Sequence, residues 1–201
     1  SMQSTTSCLK SIGCFMGNLH THLMKIDHPG AARTHEWDLA HADIHRGKVR
    51  YLADTDQRRI IEYCFHLHSA LACPRLASCP SGLLHGDIND ENLLLEHDRV
   101  VGLLDFGDCL EGALVQDLGI ALAYALEQEG VSLEAAASLI EGYDECRPLD
   151  LVEQELLLPL AMARLATYVA VNADRMAADP GDSMRNLHLD TAWSAIDMCM
   201  A

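Results

Sequence analysis

The hydrophobic pattern of this chain changes twice along its length, and these changes limit the folds open to it. Apolar residues recur at helical spacing before residue 73 and again after residue 113. Between these parts, residues 83–106 form short apolar runs separated by polar residues, as in short strands. No long Ser/Gly linker and no internal repeat divides the 201 residues. We therefore predict one mainly α (α+β) domain over residues 3–201, helical with a small β-hairpin near its middle.

Capping residues and helix breakers set the expected boundaries. Asp54 and Asp150 each begin a pattern with the spacing of a capping box. Pro159 is expected to kink or split the helix that contains it, and two prolines mark residues 73–82 as a loop. The predicted helices cover residues 8–26, 54–72, 115–129, 132–145, 150–177 and 184–199, with a helical turn at 37–42.

The charge balance disfavours several classes of function. The chain has 30 acidic and 14 basic residues, a net charge of −16, and no Lys/Arg patch of the kind that binding to the phosphate backbone of nucleic acid needs.

The longest apolar stretch, residues 156–171, is shorter than the ~20 residues of a membrane span and contains Pro159 and Arg164. The first residues are polar and do not resemble a secretory leader. We expect a cytoplasmic protein that binds neither nucleic acid nor membrane.

Cysteine and histidine spacing does not indicate a metal site. Eight cysteines are present without any CxxC pair, and eleven histidines without HExxH. Cys14, Cys64 and Cys199 occur in apolar helical patterns, where free cysteine behaves as a small hydrophobe. We therefore predict reduced thiols.

Residues 85–108 combine acids and amides in a spacing that points to phosphoryl transfer. Asp87 and Asn92 lie five apart on a predicted loop, and a turn at 97–98 is expected to bring Asp105 back beside Asn92. Carboxylate and amide oxygens of this kind suit Mg²⁺, which also binds substrate phosphates. Asp87 is left to accept a proton from a substrate hydroxyl.

The same residues resemble a known signature. HisGlyAsp at 85–87, Asn92 and AspPheGlyAsp at 105–108 are similar to the active-site motifs of the aminoglycoside phosphotransferase and choline kinase group. The resemblance implies the C-terminal lobe of a protein-kinase-like fold. It implies Asp87 as the catalytic base, with His85 in the catalytic loop, and Asn92 and Asp105 as Mg²⁺ ligands. Asp117, in ValGlnAspLeuGly, would buttress the loop.

Residues 12–19, 27–33 and 37–39 are similar to hydroxylysine kinase-like members of that group. This implies a small hydroxy-amine acceptor, 5-hydroxy-L-lysine first, with GTP or ATP as the phosphate donor. Choline, ethanolamine, homoserine and aminoglycosides remain alternative acceptors. Trp37 is either a wall of the substrate pocket or a core aromatic. Asp108, with Glu111, either meets a cationic substrate or belongs to a solvated acidic loop.

The nucleotide-binding half of such a kinase is not evident. No GxGxxG occurs, and Lys10, Lys25 and Lys48 do not lie on convincing strands. We expect the N-terminal lobe to be absent from this chain, which is then a chosen fragment, a proteolytic remnant or a naturally shortened paralogue. We further expect an inactive isolated chain, with exposed apolar surface that favours self-association. The competing hypotheses are a non-catalytic binding or scaffold module and a magnesium-dependent hydrolase.

Overall fold

A computed structural model describes residues 5–179 and 189–201 of the chain. The α-helices are α1 (Thr6–Leu23), α2 (Thr55–Leu67), α3 (Cys73–Leu76), α4 (Val115–Glu127), α5 (Leu133–Cys146), α6 (Leu151–Ala178) and α7 (Leu189–Met200). The strands are β1 (Ser81–Leu84), β2 (Leu93–Glu96), β3 (Arg99–Leu103) and β4 (Leu110–Ala113). Short 3₁₀ segments lie at Pro29–Ala31, Leu39–Tyr51 and Phe106–Asp108, and a π-turn at His68–Ala72.

The four strands form two small antiparallel sheets. Strands β2 and β3 make the predicted hairpin, with Leu93 opposite Leu103 and a turn at His97 in the left-handed region. Strand β1 pairs with β4, so that Ser81 lies opposite Ala113. The second sheet was not predicted, because its strands are separated in sequence by the whole hairpin and the loops around it. Its effect is to hold both ends of residues 85–109 together.

Several predicted boundaries were wrong. Helix α1 ends at Leu23 rather than at residue 26. The helical turn predicted at 37–42 is observed as part of a longer 3₁₀ helix, Leu39–Tyr51. The predicted loop at 73–82 contains α3 and the start of β1. Pro159 lies inside α6 without splitting it. The predicted helix at 184–199 is observed from Leu189 onward, and residues 184–188 lie outside the described residues.

Helix α6 forms the centre of the helical core. It begins with a complete capping box between Asp150 and Glu153, as the sequence predicted. By length and composition alone the helix is apolar enough to cross a membrane, but 83% of its most apolar window is buried against the rest of the protein. That burial is what a core helix requires, since it must be hydrophobic all round.

Helices α1 and α5 pack with their backbones almost in contact. A Cβ atom added at Gly13 would overlap the carbonyl oxygen of Leu139, and one at Gly142 would overlap the carbonyl of Lys10. Only glycine allows so close an approach. A disulfide between Cys14 and Cys146 joins the same two helices, with Cα atoms 5.4 Å apart. The prediction of Cys14 as a free thiol was therefore wrong, because local spacing cannot reveal a partner 132 residues away.

We expect Gly13→Ala to lower the free energy of unfolding by about 1–3 kcal/mol, because the methyl group forces the two helix backbones apart. Chemical denaturation measures the change. Gly47→Ala is the matched control, since a Cβ atom there meets nothing within 4 Å. Equal stability of the two variants would contradict the packing argument.

Candidate active site

The loop between β1 and β2 is held in place by one buried carboxylate. Asp117, in the first turn of α4, is fully buried. It accepts hydrogen bonds from the backbone amides of His85 and Gly86, each at 2.8 Å, and from Nε2 of His20 at 3.1 Å. Burial alone would raise the pKa of Asp117, but these hydrogen bonds outweigh it and hold the pKa below its ordinary value.

A further buried contact orients His20. Its Nδ1 atom lies 2.7 Å from the hydroxyl of Tyr143 on α5. Because the ionised carboxylate of Asp117 only accepts, Nε2 of His20 carries a proton and donates it to the hydrogen bond with that carboxylate. Three elements, α1, α4 and α5, therefore meet behind the loop.

His85 connects the loop to the end of the hairpin. The residue is fully buried, and its Nε2 donates to the carbonyl of Leu104 at 2.9 Å. Its Nδ1 accepts from the backbone amide of Asp87 at 3.3 Å, and the ring of Phe106 packs edge-on at 4.9 Å. Both ring nitrogens are thus occupied, so the geometry suits His85 to positioning rather than to contact with a substrate.

The carboxylate of Asp87 lies at the junction of the loop with the helical core. Its Oδ2 accepts from Nδ2 of Asn89 at 2.9 Å and from Nδ2 of Asn92 at 3.2 Å. Its Oδ1 accepts from the Tyr124 hydroxyl at 3.0 Å and from Nη2 of Arg164 at 2.8 Å. The side chain remains 25% exposed, so that a small molecule can approach it.

Asn92 and Asp105 are brought together by the hairpin. The amide of Leu104, the residue before Asp105, donates to the carbonyl of Asn92 at 2.8 Å. Asp105 has left-handed backbone angles, φ 57° and ψ 77°, a conformation that aspartate tolerates better than most residues. Its Oδ1 accepts from the Gly107 amide at 3.0 Å, and its side chain is otherwise exposed.

The donor chemistry of these two residues fits a magnesium ion. Nδ2 of Asn92 points to Asp87, which leaves the amide oxygen of Asn92 available as a hard ligand. Asp105, which supplies a carboxylate, directly follows Leu104, whose amide is bonded to Asn92. No group of three or more His, Cys, Asp or Glu residues able to hold a metal occurs in the described ranges 5–179 and 189–201. A metal at this position would therefore depend on phosphate oxygens and water for its remaining ligands.

Trp37 contacts the arginine that pairs with Asp87, whereas Asp108 lies at the end of the 3₁₀ turn Phe106–Asp108. The Trp37 ring covers the Arg164 guanidinium at 4.9 Å and also contacts that of Arg175 at 5.6 Å. Trp37 is therefore beside the partner of Asp87. Asp108 is half-buried at the end of the 3₁₀ turn, where its backbone carbonyl accepts from Nε2 of His35 at 3.0 Å.

Sequence reasoning missed Tyr124, Arg164 and Glu127. Arg164 was noted only as a charge that interrupts an apolar stretch, although a single arginine inside a buried helix is itself a signal of a specific partner. Tyr124 and Glu127 lie one turn apart on α4, so they share a helix face. None of the three belongs to a recognisable local motif.

Burial raises the pKa of Glu127 to about 7, with a further contribution from Asp90 that Arg164 partly opposes. At Glu127 the folded protein therefore retains a proton that the unfolded chain releases, and the contribution of this residue to stability falls as pH rises from 5 to 8. Between pH 5 and 8 we expect Glu127→Gln to lose about 1–3 kcal/mol less unfolding free energy than the wild type does. The range is moderate because the site is partly solvated. Denaturation at both pH values measures it, with the exposed Glu129→Gln as control. Parallel pH profiles for the wild type and Glu127→Gln would contradict the assignment.

Sequence comparisons relate this chain to known proteins. The sequence profile of the Phosphotransferase enzyme family (APH) matches residues 3–149. Hydroxylysine kinase of Danio rerio is 24% identical over 204 residues, covering 92% of this chain and 57% of the relative. Homoserine kinase of Agrobacterium fabrum is 29% identical, covering 54% and 37%. The chain thus spans about half the length of the curated relatives that it matches.

Solved structures of kinases have the same fold. A microcompartment-associated aminopropanol kinase matches with a TM-score of 0.71 and 18% identity, covering 98% of this chain and 62% of that one. Amicoumacin kinase hAmiN, in complex with AMP-PNP, Ca²⁺ and Ami, matches with a TM-score of 0.65 and 15% identity, covering 96% and 59%. The predicted fold class, the large helical lobe of a protein-kinase-like fold, is confirmed.

Proposed function

Because this chain belongs to the Phosphotransferase enzyme family, we propose that it is the large lobe of a small-molecule kinase. The kinase transfers the γ-phosphate of GTP or ATP to a hydroxyl of an amino-bearing metabolite, with 5-hydroxy-L-lysine as the first candidate. The observation that carries this proposal is the convergence of Asp87, Asn92 and Asp105 at one end of the hairpin, on a loop anchored by Asp117.

In the proposed reaction, Asp87 takes the proton of the acceptor hydroxyl as the hydroxyl oxygen bonds to the γ-phosphorus. The bond from that phosphorus to the β–γ bridging oxygen breaks, and a nucleoside diphosphate leaves. Asn89 and Asn92 fix the orientation of the Asp87 carboxylate for this step. Asn92 and Asp105 would hold Mg²⁺, which neutralises the charge that develops on the phosphate oxygens.

The acceptor class is supported by the names of the relatives, hydroxylysine kinase and homoserine kinase. Both named acceptors carry a hydroxyl and an amine on a small flexible skeleton. Choline, ethanolamine and aminoglycosides are the competing acceptors. We further propose a cytoplasmic location, in keeping with a metabolic kinase.

A nucleotide lobe completes the proposed enzyme, and the single domain proposed for residues 3–201 provides the surface for it. Four apolar side chains on or directly after the hairpin are exposed, namely Leu94, Val101, Leu104 and Phe106. We propose that the nucleotide lobe covers them, and that the isolated chain self-associates through them. Light scattering at increasing concentration checks the second point, and a strictly monomeric species would overturn it.

Release of nucleoside diphosphate tests the proposed function. The chain, and a parent protein that also carries a nucleotide lobe, are each mixed with Mg²⁺, GTP or ATP and a panel of acceptors led by 5-hydroxylysine. We expect acceptor-dependent release from the parent and little or none from the isolated chain. No release from the parent with any acceptor would overturn the function and favour a non-catalytic module. Turnover by the isolated chain would overturn its proposed dependence on the second lobe.

A further inference from the structure

The carboxylate of Asp87 has no free hydrogen-bonding position in this structure. Oδ2 accepts from Asn89 and Asn92, and Oδ1 accepts from Tyr124 and Arg164. A carboxylate offers about four acceptor sites. An acceptor hydroxyl can therefore bind Oδ1 only after Tyr124 or Arg164 has moved away.

Arg164 is a buried cation with unused donors. Its residue exposure is 6%, and its Nη2 donates both to Asp87 and to the Tyr124 hydroxyl, at 2.8 and 2.7 Å. Its Nη1 is buried and has no hydrogen-bond partner within the described part of the chain. An unpaired donor on a buried charged group is unfavourable, so this guanidinium is chemically suited to a further anion.

Aromatic rings contact the guanidinium of Arg164 without occupying its N–H groups. Trp37 lies at 4.9 Å and Tyr124 at 5.3 Å from the Arg164 Cζ atom. Stacking of this kind orients an arginine without using its N–H groups. Glu127, one turn beyond Tyr124 on α4, adds a carboxyl group to the same side of the helix. The cluster therefore presents one guanidinium that complements the carboxylate of an amino acid, beside a carboxyl group whose pKa burial raises to about 7.

We propose that Arg164 selects acceptors that carry a carboxylate, by releasing Asp87 and pairing with the carboxylate of the acceptor. This exchange frees Oδ1 of Asp87 for the acceptor hydroxyl. The inference rests on the proposed kinase function and narrows it to hydroxy amino acids. A guanidinium binds a carboxylate through two parallel hydrogen bonds, so the exchange supplies a partner for the unused Nη1. An amino alcohol or an aminoglycoside offers hydroxyls and cations only, and it does not draw a guanidinium away from Asp87.

Matched ligands test this selection on the chain itself. Calorimetric titration compares homoserine with 3-aminopropan-1-ol, and 5-hydroxylysine with 1,5-diaminopentan-2-ol. Each pair differs only in the carboxylate. We expect the carboxylate-bearing member to bind about tenfold to hundredfold more tightly, the range for a hydrogen bond to a charged group.

Variants assign the preference to Arg164. We expect Arg164→Gln to reduce the difference within each pair to less than about threefold, and Arg164→Lys to keep part of it because the charge is retained. Arg75→Gln is the matched control, since Arg75 forms an exposed ion pair with Glu155 on another part of the surface. A structural role for Arg164 would weaken both members of a pair equally, and that result would overturn the proposal.

The wild-type titration tests the preference for carboxylate-bearing acceptors even where a variant fails to fold. Equal affinities within both pairs would overturn the inference and leave the proposed kinase function standing. Absence of binding by all four ligands would also overturn it. Nucleoside diphosphate release from the parent protein then distinguishes the carboxylate preference from the kinase function. Release with another acceptor would leave the kinase function standing, whereas no release with any acceptor would overturn that function as well.

Discussion

Asp87→Asn is expected to lower the rate of phosphate transfer by about 10²–10⁴-fold, the usual contribution of a positioned general base. The amide keeps the size and shape of the carboxylate but does not accept the proton of the acceptor hydroxyl. The measurement is nucleoside diphosphate release by the protein that carries both lobes. Glu91→Gln is the matched control, because it makes the same change at an exposed position of the same loop.

The stability of Asp87→Asn must be measured beside its activity. The Arg164 side chain is only 7% exposed and would lose its carboxylate partner. Breaking a buried ion pair on one side destabilises a protein by about 3–5 kcal/mol, and the partial exposure of Asp87 reduces that figure. We expect a variant that melts earlier but is folded at the assay temperature. A rate within about threefold of the wild type in folded protein would remove Asp87 from the role of base.

Asp117→Ala is expected to have the largest effect on folding, a loss of about 3–5 kcal/mol of unfolding free energy. The substitution leaves the amides of His85 and Gly86 without an acceptor and leaves His20 without its carboxylate, all in a fully buried region. Since the free energy of unfolding of a domain of this size is only about 5–15 kcal/mol, the substitution removes a large part of it. Denaturant unfolding measures the loss, with the exposed Asp56→Ala as control.

The pH dependence of the same variant provides an independent check. The folded pKa of Asp117 is held below its ordinary value, so its contribution is complete above about pH 4 and is lost as pH falls further. Wild-type stability should therefore decline in acid through this carboxylate, and Asp117→Ala should show a shallower decline. Equal slopes for the two proteins below pH 4 would show that Asp117 does not stabilise the fold in its charged form.

Local sequence was sufficient for much of the candidate site. The motif residues Asp87, Asn92 and Asp105 were singled out by residue type and spacing, and the hairpin that joins the last two was confirmed. Their chemical roles remain predictions. The anchoring of the loop by Asp117 was expected from resemblance, and the structure adds the donors that it satisfies.

The remaining features depend on pairs of residues far apart in sequence. Cys14 and Cys146 meet because two glycine-bearing helices approach closely, and β1 meets β4 across the whole hairpin. Neither pairing has a local signal. Each depends on how helices and strands that form independently are packed against one another.

The sequence by itself determined the helical class of this protein, the central hairpin and the acids and amides of its loop. Periodicity, capping and motif spacing are properties of neighbouring residues, and these features follow from them. Only the tertiary structure decided the partner of Asp87. Arg164 lies 77 residues away on α6, where Trp37 and Tyr124 enclose it. The physical reason is that a buried charge takes its partner from whichever segments pack around it, and that packing is settled by the whole core at once.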